Sequence, residues 1–342
     1  MQNRFRVTAE AKNHYFEFDA FEGERLLNAC LRNGVPALYG CGTGTCGSCR
    51  ASLRSGKLDI LWQEAPGNPR GTDQFLLCQT AARSDVSFSF TADARGQESE
   101  KPDHVDGKIT SCRHLNADTV LLTIALSRSI TFAAGQFFLL SFHDVVGPRA
   151  YTASNAAARS SFELSFIVKL KSSGIFSQVL SLPAVIDRPV KLFGPMGKAC
   201  LSLKDDRDIL CVTGSSGLSM ALSVLSTALN AGHFDRHKGT LIFAVRNNAD
   251  AFLIQRIKEI LDRSRGAIRA TLAVSENVDC MSRNRGLPVT AGMAHEALSL
   301  TETTKDMTAF IAGPPQMVDS CIRILLTVKR LAPRNIRYDS FT

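Results

Sequence analysis

Four cysteines, Cys41, Cys46, Cys49 and Cys78, are spaced C-x4-C-x2-C with 28 residues between the third and the fourth. Thiolates are soft ligands, and this spacing is that of a [2Fe–2S] centre. A compact loop would aim three thiolates inward while a distant strand end supplies the fourth. Gly42, Gly44 and Gly47 allow the tight turns such a loop needs and leave N–H groups free to bond sulfur. Structural zinc sites usually use paired C-x2-C knuckles, and only one such pair is present. A redox C-x-x-C would need a βαβ context, which is absent around Cys46. No histidine lies beside these cysteines, so a Rieske centre, with two histidine ligands, is not encoded. Cys30, Cys112, Cys200, Cys211, Cys280 and Cys321 are scattered singly and read as small buried hydrophobes.

The elements that must position this loop fall into three segments. Residues 1–92 alternate in short strands, "RFRVTA", "YFEFDA", "CRASLRSG" and "DVSFSF". One helix, "ERLLNACLRNG", stops at Gly34. Residues 93–105 are polar and read as a linker. Residues 106–204 are again strand-rich ("KITSCRHL", "TVLLTIAL", "QFFLLSF", "FELSFIVKL"), broken by Gly, Pro and Asn as in a small antiparallel barrel, with a short helix after Gly174. Residues 205–342 alternate strands ("DILCVTG", "GTLIFAVRN", "AIRATLAVSE", "MTAFIAGPP") with helices, the rhythm of a parallel sheet covered on both faces. The fold class is therefore multidomain, α+β followed by α/β. The turn "VTGSSGLSMA" joins a strand to a helix, where N–H groups and the positive dipole end can meet a pyrophosphate.

Composition excludes several classes. The 342 residues are 44% hydrophobic and 21% charged, with no apolar run long enough to span a membrane. The first residues lack a secretory signal, so a cytoplasmic protein with reduced thiols is expected. The net charge of +8 lies beyond residue 100 as scattered Lys and Arg, without the basic runs of a nucleic-acid binder. None of the seven histidines forms a persuasive Ser-His-Asp or Cys-His arrangement.

With these motifs in order, the chain resembles the ferredoxin–NADP reductase superfamily, fused to an N-terminal plant-type ferredoxin of the β-grasp fold. "RAYTAS" resembles the family's R-x-Y-[ST] motif. The resemblance implies FAD, with Arg149 on its pyrophosphate, Tyr151 on the isoalloxazine face and Thr152 near N5. "KLKSSGIFS" resembles the segment that holds the flavin phosphates, which brings in Lys169, Ser173, Gly174, Phe176 and Ser177. Ser173 stands where glycine is common. "GSSG" stands for the family's dinucleotide turn and implicates Gly214, Ser215, Ser216 and Gly217. "AGPPQM" resembles the nicotinamide-pocket motif and implicates Gly313, Pro314 and Met317, with Ala312 in place of its cysteine. Arg246 ends a strand where it could face the adenosine ribose or a 2′-phosphate, and Phe341 fits an aromatic carried near the C-terminus, beside flavin or nicotinamide. The group resembled is the reductases of Rieske-type aromatic dioxygenases. It implies electron flow from NADH (or NADPH) through FAD and [2Fe–2S] to a Rieske oxygenase, or to a Rieske or plant-type ferredoxin, from a monomer. No acid–base residue is needed, because the cofactors carry the chemistry. The alternatives are the reductase of a diiron monooxygenase and a non-enzymatic iron–sulfur sensor or docking module.

Overall fold

The computed structural model describes residues 3–69, 73–93, 101–276 and 286–340. The N-terminal strands β1 (Arg4–Ala11), β2 (His14–Phe21), β3 (Arg50–Ser55), β5 (Gln74–Leu76) and β7 (Val86–Phe90) form one sheet in the order β2-β1-β7-β3-β5. β1 and β7 run parallel at its centre. The helix α1 (Leu26–Arg32) lies across this sheet, with Leu26, Leu27 and Cys30 fully buried against Phe88 and its neighbours. Gly34 stops it in the left-handed region, φ +78°. This is the expected β-grasp. Two three-residue strands, β4 (Leu58–Ile60) and β6 (Thr80–Ala82), pair separately and were too short to show a period in the sequence.

The second sheet contains β8 (Asp103–Asn116), β9 (Thr119–Ile130), β10 (Phe137–Ser141), β11 (Arg149–Thr152), β12 (Ser161–Lys169) and β13 (Pro189–Met196), in the order β11-β10-β13-β8-β9-β12. In β9, Val120, Leu122, Ile124 and Leu126 point inward at period two. Register shifts in β8, β10 and β12 bend the sheet. Its edges meet where Ala153 bridges Phe166 and the Ser154 N–H donates to the Ser165 carbonyl at 2.7 Å. The curled antiparallel sheet is the expected barrel, with the helix α2 (Ile175–Leu180) against one end. β13 begins with proline and contains Gly-Pro, residues that usually mark turns, yet it pairs on both sides within the sheet.

The third sheet is wholly parallel, with strands β14 (Asp208–Gly214), β15 (Gly239–Val245), β16 (Ile268–Val274), β17 (Val289–Ala291), β18 (Met307–Gly313) and β19 (Ile336–Ser340). Their order is β17-β16-β15-β14-β18-β19. The helices are α3 (Leu218–Asn230), α4 (Ile254–Arg263), α5 (Ala294–Leu300) and α6 (Pro315–Thr327). The strand order reverses between β14 and β18, so their carboxyl ends open a crevice at a topological switch point.

The domains share cores. Phe137, Leu139, Phe193 and Met196 of the barrel belong to the apolar cluster of the first domain, and Ala134, Ile167 and Leu201 to that of the third. Across the first boundary, the Gly197 N–H donates to the Tyr39 hydroxyl at 3.0 Å, and His104 meets Glu24 at 3.2 Å. Lys198 pairs with Asp93. Both ends of the stretch 93–105, expected as a linker, are placed in ordered structure. Asp93 is buried, its N–H donates to the Pro36 carbonyl at 2.7 Å, and Asp103 already belongs to β8. The intervening 94–100 lie outside the described residues.

Removing one partner of a largely buried ion pair weakens the compensation of the other charge. Lys198→Ala should therefore destabilise the protein by about 2 kcal/mol. An unchanged denaturation midpoint would show that the Lys198–Asp93 pair does not hold the boundary between the first domain and the barrel.

Candidate functional site

Cys41, Cys46 and Cys49 occupy the loop between α1 and β3, and Cys78 lies in the single 3-10 turn after β5. Gly44 takes φ +94°, and a Cβ there would meet the Gln79 side chain at 2.8 Å. Glycine therefore lets the loop close over Gln79. The thiols fall into two pairs. Cys46 hydrogen-bonds Cys41, which holds the Cys41 thiol down at about 3 and pushes Cys46 up to about 12. Cys49 likewise hydrogen-bonds Cys78, lowering Cys78 and raising Cys49. The N–H groups of Cys41 and Thr43 point at the sulfurs of Cys46 and Cys41, each at 3.4 Å.

Two thiol pairs fit a dinuclear centre with two thiolates on each iron. Among the described residues no three His, Cys, Asp or Glu side chains are gathered around one point. Cys41, Cys49 and Cys78 are buried while Cys46 is exposed, which leaves one edge of the loop open to the outside.

A cleft of about 1510 Å³ runs between the three domains. Arg25, Thr43, Thr45, Trp62 and Gln79 line it from the first domain. From the barrel come Arg149, Tyr151 and Thr152 on β11, Lys169 at the end of β12, and Gly174, Phe176 and Ser177 at the start of α2. The Tyr151 ring lies 5.6 Å from that of Phe176, which stacks on Phe142 at 4.7 Å, so the tyrosine has an aromatic backing. Burial pushes the Tyr151 hydroxyl up and keeps it neutral. Arg149 reaches the carbonyls of Gly147 and Pro148 at 3.2 and 3.1 Å. Lys169 is paired with Asp118 at 2.7 Å. The Lys171 N–H donates to the Ser177 hydroxyl at 2.9 Å. Ser173 is exposed and does not line the cleft.

The third domain contributes its switch-point turns. Gly214, Ser215, Ser216 and Gly217 line the cleft beside Gly313, Pro314 and Met317. A Cβ on Gly217 would lie 2.2 Å from the Ala312 carbonyl oxygen, so only glycine lets the two turns touch. Ser215 takes φ +51°, a left-handed conformation uncommon for a residue with a Cβ. Arg246 lines the far end of the cleft, largely exposed, 3.6 Å from Glu276. Phe341 lies outside the described residues.

Comparisons with known proteins agree with this division. Residues 11–83 match the 2Fe-2S iron-sulfur cluster binding domain, 106–200 the oxidoreductase FAD-binding domain and 211–322 the oxidoreductase NAD-binding domain. A ferredoxin reductase in carbazole 1,9a-dioxygenase superposes with a TM-score of 0.87 at 26% identity, covering 100% of this chain and 99% of that one. The chain belongs to the ferredoxin–NAD(P)+ reductase family. Its curated relatives include the ferredoxin–NAD(+) reductase component of an alkene monooxygenase system from Xanthobacter autotrophicus, 29% identical over 95% of this chain and 97% of that protein. A ferredoxin–NAD(P)(+) reductase of Metapseudomonas resinovorans is 26% identical over 93% and 95%. FAD, a [2Fe–2S] centre and NAD(P)H are thus the cofactors of this reductase.

Sequence reading missed two residues that line the reductase's cleft, Arg25 and Gln79, and one outside its lining, Asp339. Arg25 and Gln79 adjoin Cys78, and Asp339 on β19 faces Gly197 of the barrel, 3.7 Å from where a Cβ on that glycine would stand. Gln79, next to a ligand cysteine, carried the only usable signal; Arg25 and Asp339 are brought in by tertiary packing. The Asp339 Oδ2 is buried without a hydrogen-bond partner among the described residues, and burial raises this carboxyl to about 7.

An acid whose folded value exceeds its unfolded one binds more protons in the native state. Stability then falls as pH rises between about 4 and 7. Asp339→Asn should remove that loss, raising the melting temperature by a few degrees near neutrality and much less below about pH 4.5. An equal shift at both pH values, or none, would show that Asp339 does not titrate there.

Proposed function

We propose that this chain is the reductase component of an oxygenase system, taking hydride from NADH and delivering single electrons to a Rieske-type oxygenase or to its ferredoxin. The observation that carries this reading is that one cleft is lined by the cluster domain, the flavin motif and the dinucleotide turns together. When bound, FAD accepts the two electrons of a hydride and the [2Fe–2S] centre passes them on one at a time.

The chain's own groups bind and orient. Arg149 would hold the flavin pyrophosphate, Tyr151 would cover the ring against its Phe176 backing, and the Thr152 hydroxyl would serve N5. Lys169, Gly174 and Ser177 would hold phosphate oxygens at the start of α2. Ser173, which is exposed, drops out of this set. Gly214, Ser215, Ser216 and Gly217 would receive the dinucleotide phosphates, with Gly313, Pro314 and Met317 flanking the nicotinamide. Cys41, Cys46, Cys49 and Cys78 would hold the cluster, supported by the Cys41–Cys46 and Cys49–Cys78 pairs. Cys46, the exposed member, marks the edge facing the acceptor.

On this reading the protein is a monomer working in the cytoplasm; among the described residues no helix is long and apolar enough to cross a membrane. The second reading, supply of a diiron monooxygenase, is favoured by the 29% identity to the alkene monooxygenase reductase. Reconstitution with purified oxygenases of each class separates the two.

Full-length Cys46→Ser should still bleach its flavin with NADH under anaerobic conditions and reduce ferricyanide. Its reduction of cytochrome c and of the oxygenase should fall at least about tenfold, because the centre loses one of its four thiolates. Wild-type rates to the protein acceptors would sink the proposed path. Arg246 is exposed and only loosely paired, so Arg246→Ala should change kcat/KM for NADH by no more than about threefold. A wild-type preference for NADPH would overturn the choice of nucleotide.

A further inference from the structure

Helix α1 begins on a residue poorly suited to begin it. Its N-cap is Arg25, which makes no side-chain cap hydrogen bond. Ser, Thr, Asp or Asn would satisfy an orphan N–H at that position, and a cation there faces the positive end of the helix. The side chain is committed elsewhere. Its Nη1 donates to the carbonyl of Cys78 and, at 2.9 Å, to Oε1 of Gln79. The same Gln79 amide turns its Nε2 toward the Cys78 sulfur at 3.7 Å. Gln79 is only 2% exposed, so its amide has little freedom to turn away. The result is a short relay from guanidinium to amide to ligand sulfur.

The other end of Arg25 reaches the flavin motif. A Cβ on Gly147 would lie 3.8 Å from Arg25 Nη2 and 3.6 Å from Arg149 Nη1. Two guanidinium groups, one from each domain, therefore flank the same glycine. Burial works against the Arg25 cation, the sulfurs of Cys78 and Cys49 favour it, and Arg149 opposes it. No carboxylate forms an ion pair with it among the described residues. A desolvated cation without a carboxylate needs another anion. A centre held by four thiolates is net negative and becomes more so when reduced.

We propose that Arg25 is a positioning residue that stabilises the reduced cluster, both by its charge and by holding the Gln79 amide against the Cys78 sulfur. The inference rests on the proposed path from flavin to cluster. In the step concerned, one electron leaves the reduced flavin and converts one ferric iron to ferrous; no other bond forms or breaks. Both the cation and an N–H···S bond at a ligand favour the added negative charge and so raise the cluster potential.

The test is an EPR-monitored redox titration of the full-length holoprotein, with iron and FAD contents measured in parallel. Compared at one fixed solution potential, Arg25→Gln should lower the ratio of reduced to oxidised cluster about tenfold, equivalent to about 59 mV for a one-electron couple. The flavin potential should move less. Arg25→Lys, which keeps the charge, should recover most of the difference, and Gln79→Leu should shift the cluster in the same direction as Arg25→Gln. A full-iron Arg25→Gln at the wild-type potential would overturn the proposal, as would equal shifts in Arg25→Gln and Arg25→Lys. If Arg25→Gln loses its iron, Gln79→Leu decides: a lowered potential supports the relay and a wild-type one refutes it. Wild-type protein that binds FAD but no cluster would overturn the electron path itself, a result separable from the others by iron content alone.

Discussion

Gly42, in the cysteine loop, packs against Leu139 and Met196 of the barrel, and a Cβ there would come within 3.3 Å of each. Leu139 and Met196 are buried in the same apolar cluster as the core of the first domain. The loop that carries the thiols is thus seated on the barrel. Leu139 belongs to β10, which is hydrogen-bonded to β11, the strand that presents Arg149, Tyr151 and Thr152. A displacement of the first domain would move the thiols relative to those residues. Burying apolar surface is non-directional, so the seat is fixed in orientation by polar contacts around it: Tyr39 with Gly197, Glu24 with His104, and Asp93 with Lys198.

Charge in the cleft is arranged for anions. Lys169 has its carboxylate partner in Asp118, and Arg246 a loose one in Glu276. Arg25 and Arg149, where two domains meet, are held instead by backbone carbonyls and, for Arg25, an amide. Carbonyl oxygens orient a guanidinium without neutralising it, so the positive charge stays available to phosphate or to a cluster. Asp339 shows the converse. A buried acid with an unpartnered oxygen is held protonated over a wider pH range, so it adds little negative charge near the barrel end.

Local rules are broken where the domains converge. Ser215 accepts a left-handed backbone between two strand ends packed tightly enough that Gly217 admits no Cβ. Arg25 gives up a helix cap to reach Cys78. Each departure from local preference is maintained by packing that over-determines it, the usual condition for such residues at functional sites.

The cysteine spacing, the glycines between, the order of the motifs and the shift from strand-rich to alternating patterns were all legible in the sequence, because each depends on neighbours a few residues away. So were many of the residues that line the cleft, which sit in contiguous stretches. The short strands β4, β5 and β6, and the edge strands β17 and β19, were not legible, since their pairing comes from partners far along the chain. Ser173 was placed in the site by its neighbours, but it is exposed and does not line the cleft. The pairing of Cys49 with Cys78, the meeting of Arg25 with Arg149 around Gly147, and the burial of Asp339 against the barrel arise only in three dimensions. Sequence fixes which groups are available, through short-range spacing. Tertiary packing decides which of them face one another, because burial, desolvation and charge proximity depend on distance in space.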